Sequence, residues 1–343
     1  MGGLMRAPDF WRKTGGAAFW LAPIGWIWGA VSGWRMRAAP GVHASVPVVA
    51  VGNFTVGGAG KTPTTAALIE LARRAGFSPV VMTRGYGGRL AGPVRVDPTR
   101  HDSAEVGDEP LLHARTAPTI VARDRRQGVR FVETCGADLV LLDDGFQNPT
   151  LAKGLSLVVV DRGYGLGNGR VMPAGPLRAP LAVQLARASA LVVIDSGEEE
   201  TTGLAGLLDD ARRRGLPVFT ARMVLHEPER FTGRRLLAWA GIGRPEKFAA
   251  TLAAAGAETV ELVAFADHQR LEEVEAERLL ARAAARGLDL VTTEKDAARL
   301  IGATSPMAMR LALASRVAAV DLVFDDEAAV VALLAGLRRA TTR

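Results

Sequence analysis

Cysteine is nearly absent: Cys135 is the one thiol in 343 residues. That excludes an internal disulfide and fits a reducing compartment, where ATP is also found. With one thiol and five histidines, no zinc spacing forms, and no His/Cys cluster exists for metal delivery. No basic stretch is interleaved with aromatics, so nucleic acid is not an expected partner. Internal repeats and low-complexity segments are lacking. A long uninterrupted apolar run is lacking too: the uncharged stretch Ala17 to Trp34 contains Pro23 and Gly25, and its length is marginal for a spanning helix.

What is present begins with a glycine-rich loop. Residues 48–65 read VVAVGNFTVGGAGKTPTT, an apolar run, then glycines, then Gly60-Lys61-Thr62. Between a buried strand and a helix, such a loop binds phosphate, because glycines let backbone N–H groups turn toward oxygens with no Cβ in the way. Lys61 brings a charge to the β/γ-phosphates, Thr62 offers a hydroxyl to Mg²⁺, and the helix presents its positive end. The strict spacing asks for glycine where Thr55 stands; Gly57 and Gly58 follow instead. The alternative is an ordinary glycine-rich turn.

Length suggests about two domains, and 48% hydrophobic residues suffice for sizeable cores. Net charge is 42 − 36 = +6, which suits nucleic acid, anionic lipid or a phosphorylated substrate. From residue 46, β-branched runs at 46–51, 78–82, 118–122, 138–142, 155–160, 190–194 and 217–221 alternate with helical stretches at 61–75, 107–115, 124–135 and 201–214. This predicts an α/β fold, a mostly parallel sheet with helices on both faces, and ligands at the C-terminal strand ends. After a polar stretch near 228–235, a second alternating set (strands 236–240, 258–264, 288–292 and 317–323) predicts a smaller α/β domain. The expected division is 1–37, 38–227 and 228–343.

Five of six tryptophans (Trp11, Trp20, Trp26, Trp28, Trp34) precede residue 35, with Arg6, Arg12, Lys13, Arg35 and Arg37 flanking the uncharged stretch. Tryptophan and flanking cations suit a lipid headgroup region, so this segment is read as a helix in or dipping into a membrane surface. A core helix, a spanning helix and a secretory signal cleaved after Ala44 are the alternatives. The signal would put the phosphate loop outside the cell, away from ATP.

Several strand ends carry chemistry. The strand over 138–142 ends in Asp143 and Asp144, where a Walker-B type acid holds Mg²⁺, or where a turn forms. Asp108 and Glu109 open a helix, as catalytic acids or as an acidic first turn. Arg84 in RGYGG, and Arg123 and Arg125 after strand 118–122, either meet phosphate or serve a turn and a solvated helix face. The long loop 163–177 is of a functional kind, with Asn168, Arg170 and Arg178 its candidates. Asp267-His268 and Thr293-Glu294-Lys295-Asp296 also follow strands, the latter readable as a capped helix start.

Taken together, GNFTVGGAGKTP, RGYGG, GDEP, DDGFQ, GNGR…PAGPLR, FADH and TEKDA resemble, in order, the tetraacyldisaccharide 4′-kinase family, the lipid A 4′-kinases of Gram-negative envelope synthesis. The resemblance implies ATP and Mg²⁺ as cofactors, a tetraacyldisaccharide 1-phosphate as lipid substrate, and the cytoplasmic face of the inner membrane as location. It implies that Asp108 and His268 activate the sugar hydroxyl, overturning the helix-start preference for Asp108. It assigns Thr55, Val56, Gly57, Gly58, Ala59, Gly60, Lys61 and Thr62 to nucleotide, and Glu109, Asp143 and Asp144, with Thr62, to metal. Arg125 is the implied phosphate contact. Asn148 after DDGFQ, Gln269 after DH, and Ala179 after GPLR depart from the family pattern. The expected reaction is in-line phosphoryl transfer; an envelope-precursor ligase and a nucleotide switch are its rivals.

Overall fold

The structure, a computed structural model, describes residues 8–13, 15–38, 41–195, 197, 200–267, 269, 271–303 and 305–341. Its first strand, β1 (Val48–Asn53), is buried at every residue, as a parallel strand covered on both faces must be. Period-two alternation sends its side chains to two cores. Val49 and Val51 pack with Leu68, Ile69 and Leu71 of the helix Lys61–Arg74. Val48 and Ala50 pack with Val129 and Val132 of the helix Arg125–Glu133.

The strands that follow are β2 (Pro79–Thr83), β3 (Val94–Arg95), β4 (Thr119–Val121), β5 (Leu139–Asp143), β6 (Leu155–Asp161), β7 (Ala190–Asp195) and β8 (Val218–Leu225). After them come β9 (Arg235–Ala240), β10 (Thr259–Ala264), β11 (Asp289–Thr293), β12 (Arg316–Ala318) and β13 (Val320–Phe324). The large sheet runs β13-β8-β7-β6-β1-β5-β2-β4-β3. It is parallel except at its edges, where β3 and β13 run antiparallel to their neighbours. The smaller sheet, β10-β9-β11-β12, is wholly parallel. Trp239 and Leu311 fill one of its faces, Phe248 and Leu252 the other.

Two features of the C-terminal third differ from expectation. The helix Pro306–Ala314 lay outside the alternating pattern. The strand expected over 317–323 is two strands broken at Ala319, and the second leaves the small sheet to pair with β8. The helix Glu327–Thr341 follows it, seating Val330, Leu334 and Leu337 in the core of Leu68. The unit expected over 228–343 therefore ends, as a sheet, at β12.

Near the N-terminus, the helix Ala22–Arg37 buries Gly25, Gly29 and Gly33, spaced by four and so on one face. That stripe lies on Val171, Ala174, Pro180 and Val183, with Gly25 so close that a Cβ there would meet the Val171 carbonyl oxygen at 2.8 Å. The rest of the segment shows Trp20, Trp26 and Trp34 at 80%, 74% and 72% exposure. No described helix is long and apolar enough to cross a membrane. The core-helix alternative fits only the buried face of the segment, Ala22, the three glycines and Met36.

Candidate active site

The phosphate loop leaves β1 and enters the helix Lys61–Arg74 through Gly60, at φ +89°. That left-handed conformation calls for glycine; a Cβ there would also meet Ile194 Cδ1, a movable side-chain end, at 2.3 Å. No side chain caps this helix start, leaving its first N–H groups to a ligand. The loop is braced from behind by residues 176–178: Val56 N donates to Pro176 O (2.8 Å), Arg178 N to Phe54 O (2.9 Å), and Thr55 bridges Leu177. Asn168 and Arg170 instead tie the long loop to the N-terminal segment, donating to Phe10 O and Ala18 O.

Lys61 Nζ donates to Asn53 Oδ1 at 3.3 Å and stands 3.8 Å from Asp144 Oδ1. Burial draws its pKa below the usual lysine value, against the pull of Asp144. Asp144 adopts φ +51°, a conformation non-glycine residues rarely take. The turn aims its carboxylate at Lys61 and at Arg178 Nη1, 3.1 Å away. Desolvation works the other way, yet these two cations hold its pKa low. Asp143 turns elsewhere: its Oδ2 lies 2.8 Å from His113 Nε2, both side chains being 1% exposed. Asp143 Oδ1 is buried without a hydrogen-bond partner, as is Arg125 Nη1. Arg125 opens the helix Arg125–Glu133 beneath Asp144 and Asp143, and burial lowers its pKa to about 10. Arg123 instead donates to Gly88 O at 2.7 Å, bracing the RGYGG turn.

Asp108 and Glu109 begin the helix Asp108–His113, and the small sheet reaches over to both. Glu109 Oε1 accepts from the Thr62 hydroxyl at 3.0 Å and from Lys295 Nζ at 2.5 Å. Burial alone would raise the Glu109 pKa; Lys295 pulls it well below the carboxylate range, with help from Lys61. Asp108 Oδ2 accepts from Arg299 Nε (2.8 Å) and lies 2.7 Å from Arg299 Nη2. On the other flank, Arg244 and Lys247 each lie 2.7 Å from Asp161 at the end of β6. A Cβ on Gly243 would stand 3.4 Å from Gly58 N. His268 lies outside the described residues. Asp267 beside it contributes to raising the Lys295 pKa.

Among the described residues, Lys61, Thr62, Asp108, Glu109, Asp143, Asp144 and Arg125 thus gather at the C-terminal ends of the large sheet's strands. Sequence reasoning missed Asn53, His113 and Arg299, and left Lys295 between a strand-end candidate and part of a capped helix start. Asn148 caps its own turn through Thr150 N, and Ala179 is buried, its carbonyl accepting from Gln184.

Among the described residues no group of three or more His, Cys, Asp or Glu is placed to hold a metal unaided. Mg²⁺ entering with a nucleotide needs only one or two protein oxygens besides phosphate and water. The Thr62 hydroxyl beside Glu109, and the orphaned Asp143 oxygen, fit that demand.

The family model described as tetraacyldisaccharide-1-P 4′-kinase matches residues 17–338. A tetraacyldisaccharide 4′-kinase of Methylorubrum extorquens is 51% identical over 94% of this chain and 96% of its own. One of Rhodopseudomonas palustris is 50% identical over 94% of each chain. In three dimensions the chain is similar to LpxK from Aquifex aeolicus in complex with ATP. The TM-score is 0.69 at 24% identity, covering 93% of this chain and 99% of that one.

Proposed function

We propose how the site works from one premise, that the chain belongs to the tetraacyldisaccharide-1-P 4′-kinase family. It transfers the γ-phosphate of ATP to the 4′-hydroxyl of a tetraacyldisaccharide 1-phosphate, a step of lipid A biosynthesis. The observation that carries the assignment of roles is the meeting of Lys61 and Thr62 with Asp144 and Glu109 at the end of β1 and β5.

Backbone N–H groups of residues 55–62 and the Lys61 ammonium bind the triphosphate. Thr62, Glu109, Asp143 and Asp144 are the residues that would hold Mg²⁺, whose chemistry is to neutralise phosphate charge. Arg125 faces the same charge from beneath. Asp108, with His268, takes the proton of the sugar hydroxyl as its oxygen attacks phosphorus. Little covalent chemistry is asked of the protein; positioning and electrostatics carry the rate. The large and small sheets belong to two domains that close over the substrate.

We also place the enzyme at the cytoplasmic face of the inner membrane, resting on the tryptophan face of the helix Ala22–Arg37. Acyl chains that stay in the bilayer avoid an extraction cost of about 0.8 kcal/mol per CH₂. The deciding experiment follows labelled γ-phosphate from ATP to a tetraacyldisaccharide 1-phosphate in mixed micelles. Label on the lipid, lost in Lys61→Ala and Asp108→Ala, supports these roles. Folded, ATP-binding wild type that leaves the lipid unlabelled overturns them in favour of a ligase or a switch.

A further inference from the structure

Arg299 is placed as no surface ion pair is. It lies in the helix Glu294–Arg299, which follows β11 of the small sheet, and its side chain is 8% exposed. It meets the Asp108 carboxylate, 4% exposed, from the large sheet's side. Nε and Nη2 converge on Asp108 Oδ2 at 2.8 and 2.7 Å. Nη1 turns back to its own domain, donating to Asp296 Oδ1 (2.6 Å) and Gly241 O (2.7 Å). Asp296 is held in turn: its Oδ1 accepts from Gly241 N (3.0 Å), and its Oδ2 lies 2.6 Å from the Thr293 hydroxyl. The planar fork of arginine therefore joins a fixed strand end in one domain to a single carboxylate oxygen in the other.

We propose that Arg299 is a positioning residue for phosphoryl transfer, locking the Asp108 carboxylate in register with the small sheet, so that domain approach and base alignment are one event. This rests on the reading that Asp108 takes the hydroxyl proton. Charge balance suits that step. Asp108, Arg299 and Asp296 together carry one net negative charge when ionised. As the sugar oxygen bonds to phosphorus and the bond from phosphorus to the ADP oxygen breaks, the hydroxyl proton passes to Asp108 and the trio becomes neutral. Asp296 keeps Arg299 paired with a carboxylate once Asp108 is protonated.

A kinetic double-mutant cycle between Arg299→Lys and Asp108→Asn tests this. Lysine keeps the charge but cannot fork between Asp108, Asp296 and Gly241. In wild type, Arg299→Lys lowers kcat by about tenfold or more at unchanged KM for ATP; in the Asp108→Asn background it lowers the residual rate by less than about twofold. An equal loss in both backgrounds, or an unchanged kcat in wild type, overturns the proposal. If Asp108→Asn itself keeps wild-type turnover, the base assignment fails first, and the two failures are told apart. Should Arg299→Lys not fold, the isosteric Asp296→Asn, which loosens Arg299 while keeping a hydrogen-bonding oxygen, is read in the same cycle with the same criteria.

Discussion

Lys295 Nζ lies 2.5 Å from Glu109 Oε1, the same oxygen that accepts the hydroxyl of Thr62 in the phosphate loop. A residue of the helix Glu294–Arg299, which follows β11, thus touches, through one intermediary, the first turn of the nucleotide helix. Removing one partner of a withdrawn ion pair leaves the other charge uncompensated. Lys295→Met should cost about 2–3 kcal/mol of stability and raise the Glu109 pKa. Chemical denaturation with matched m-values reads it; a loss below about 0.5 kcal/mol would show the pair to be ornamental.

Acid tells the same story with a sign. The folded pKa of Glu109 is depressed, so its contribution is complete above its ordinary value of 4.5 and disappears as pH falls through the lowered one. Asp144 is depressed too, but at 40% exposure it adds less. Burial pushes Asp296 and Glu294 the other way, so their protonation favours the fold as pH first drops. Urea midpoints should hold or rise toward about pH 5 and fall steeply below about pH 4. In Lys295→Met the fall should begin at higher pH; superimposable profiles would contradict the assignment.

The tryptophan face of the helix Ala22–Arg37 projects away from the packed glycine stripe. Trp26 and Trp34 of that helix, with Trp20 at the end of the short helix before it, changed together to serine should leave the fold intact and weaken binding to anionic vesicles by more than about tenfold. Flotation of wild type and variant with the same vesicles decides it. Equal recovery would assign membrane contact elsewhere.

Gly25 offers the complementary change. Its missing Cβ would meet the Val171 carbonyl oxygen at 2.8 Å and Ala174 Cβ at 3.2 Å. Gly25→Ala should therefore cost about 1–3 kcal/mol by overpacking, despite alanine's better helix propensity. A raised melting temperature would mean that the helix yields without resistance.

How much of this was legible in sequence depends on how far apart the partners stand. Lys61 and Thr62 follow the turn after β1, and the paired Asp143-Asp144 end β5, so each set sits at an offset dictated by its own strand, and spacing singled it out. Lys295 meets Glu109 across 186 residues, and Arg299 meets Asp108 across 191; no local pattern encodes such a partnership. Thr293 does cap its helix through Asp296 N, so the cap reading was sound and still incomplete. The break at Ala319 was invisible because β12 and β13 share one apolar texture; membership of a sheet is decided by its neighbours. The Ala- and Leu-rich helix Pro306–Ala314 likewise has no sharp polar face to announce it.

The return of β13 to the large sheet has a mechanical consequence. The small sheet is an insertion, attached where β8 leads to β9 and where β12 leads to β13. These two crossings are stitched side by side, His226 N donating to Ala319 O at 2.9 Å. A body hung on one tether can roll, twist and tilt, whereas two adjacent tethers leave it chiefly one degree of freedom, a swing about the line between them. The domain closure proposed above would then bring Arg299 and Lys295 to Asp108 and Glu109 along a single arc, like a door on two pins, with β13 and the helix Glu327–Thr341 anchoring the second pin in the large sheet.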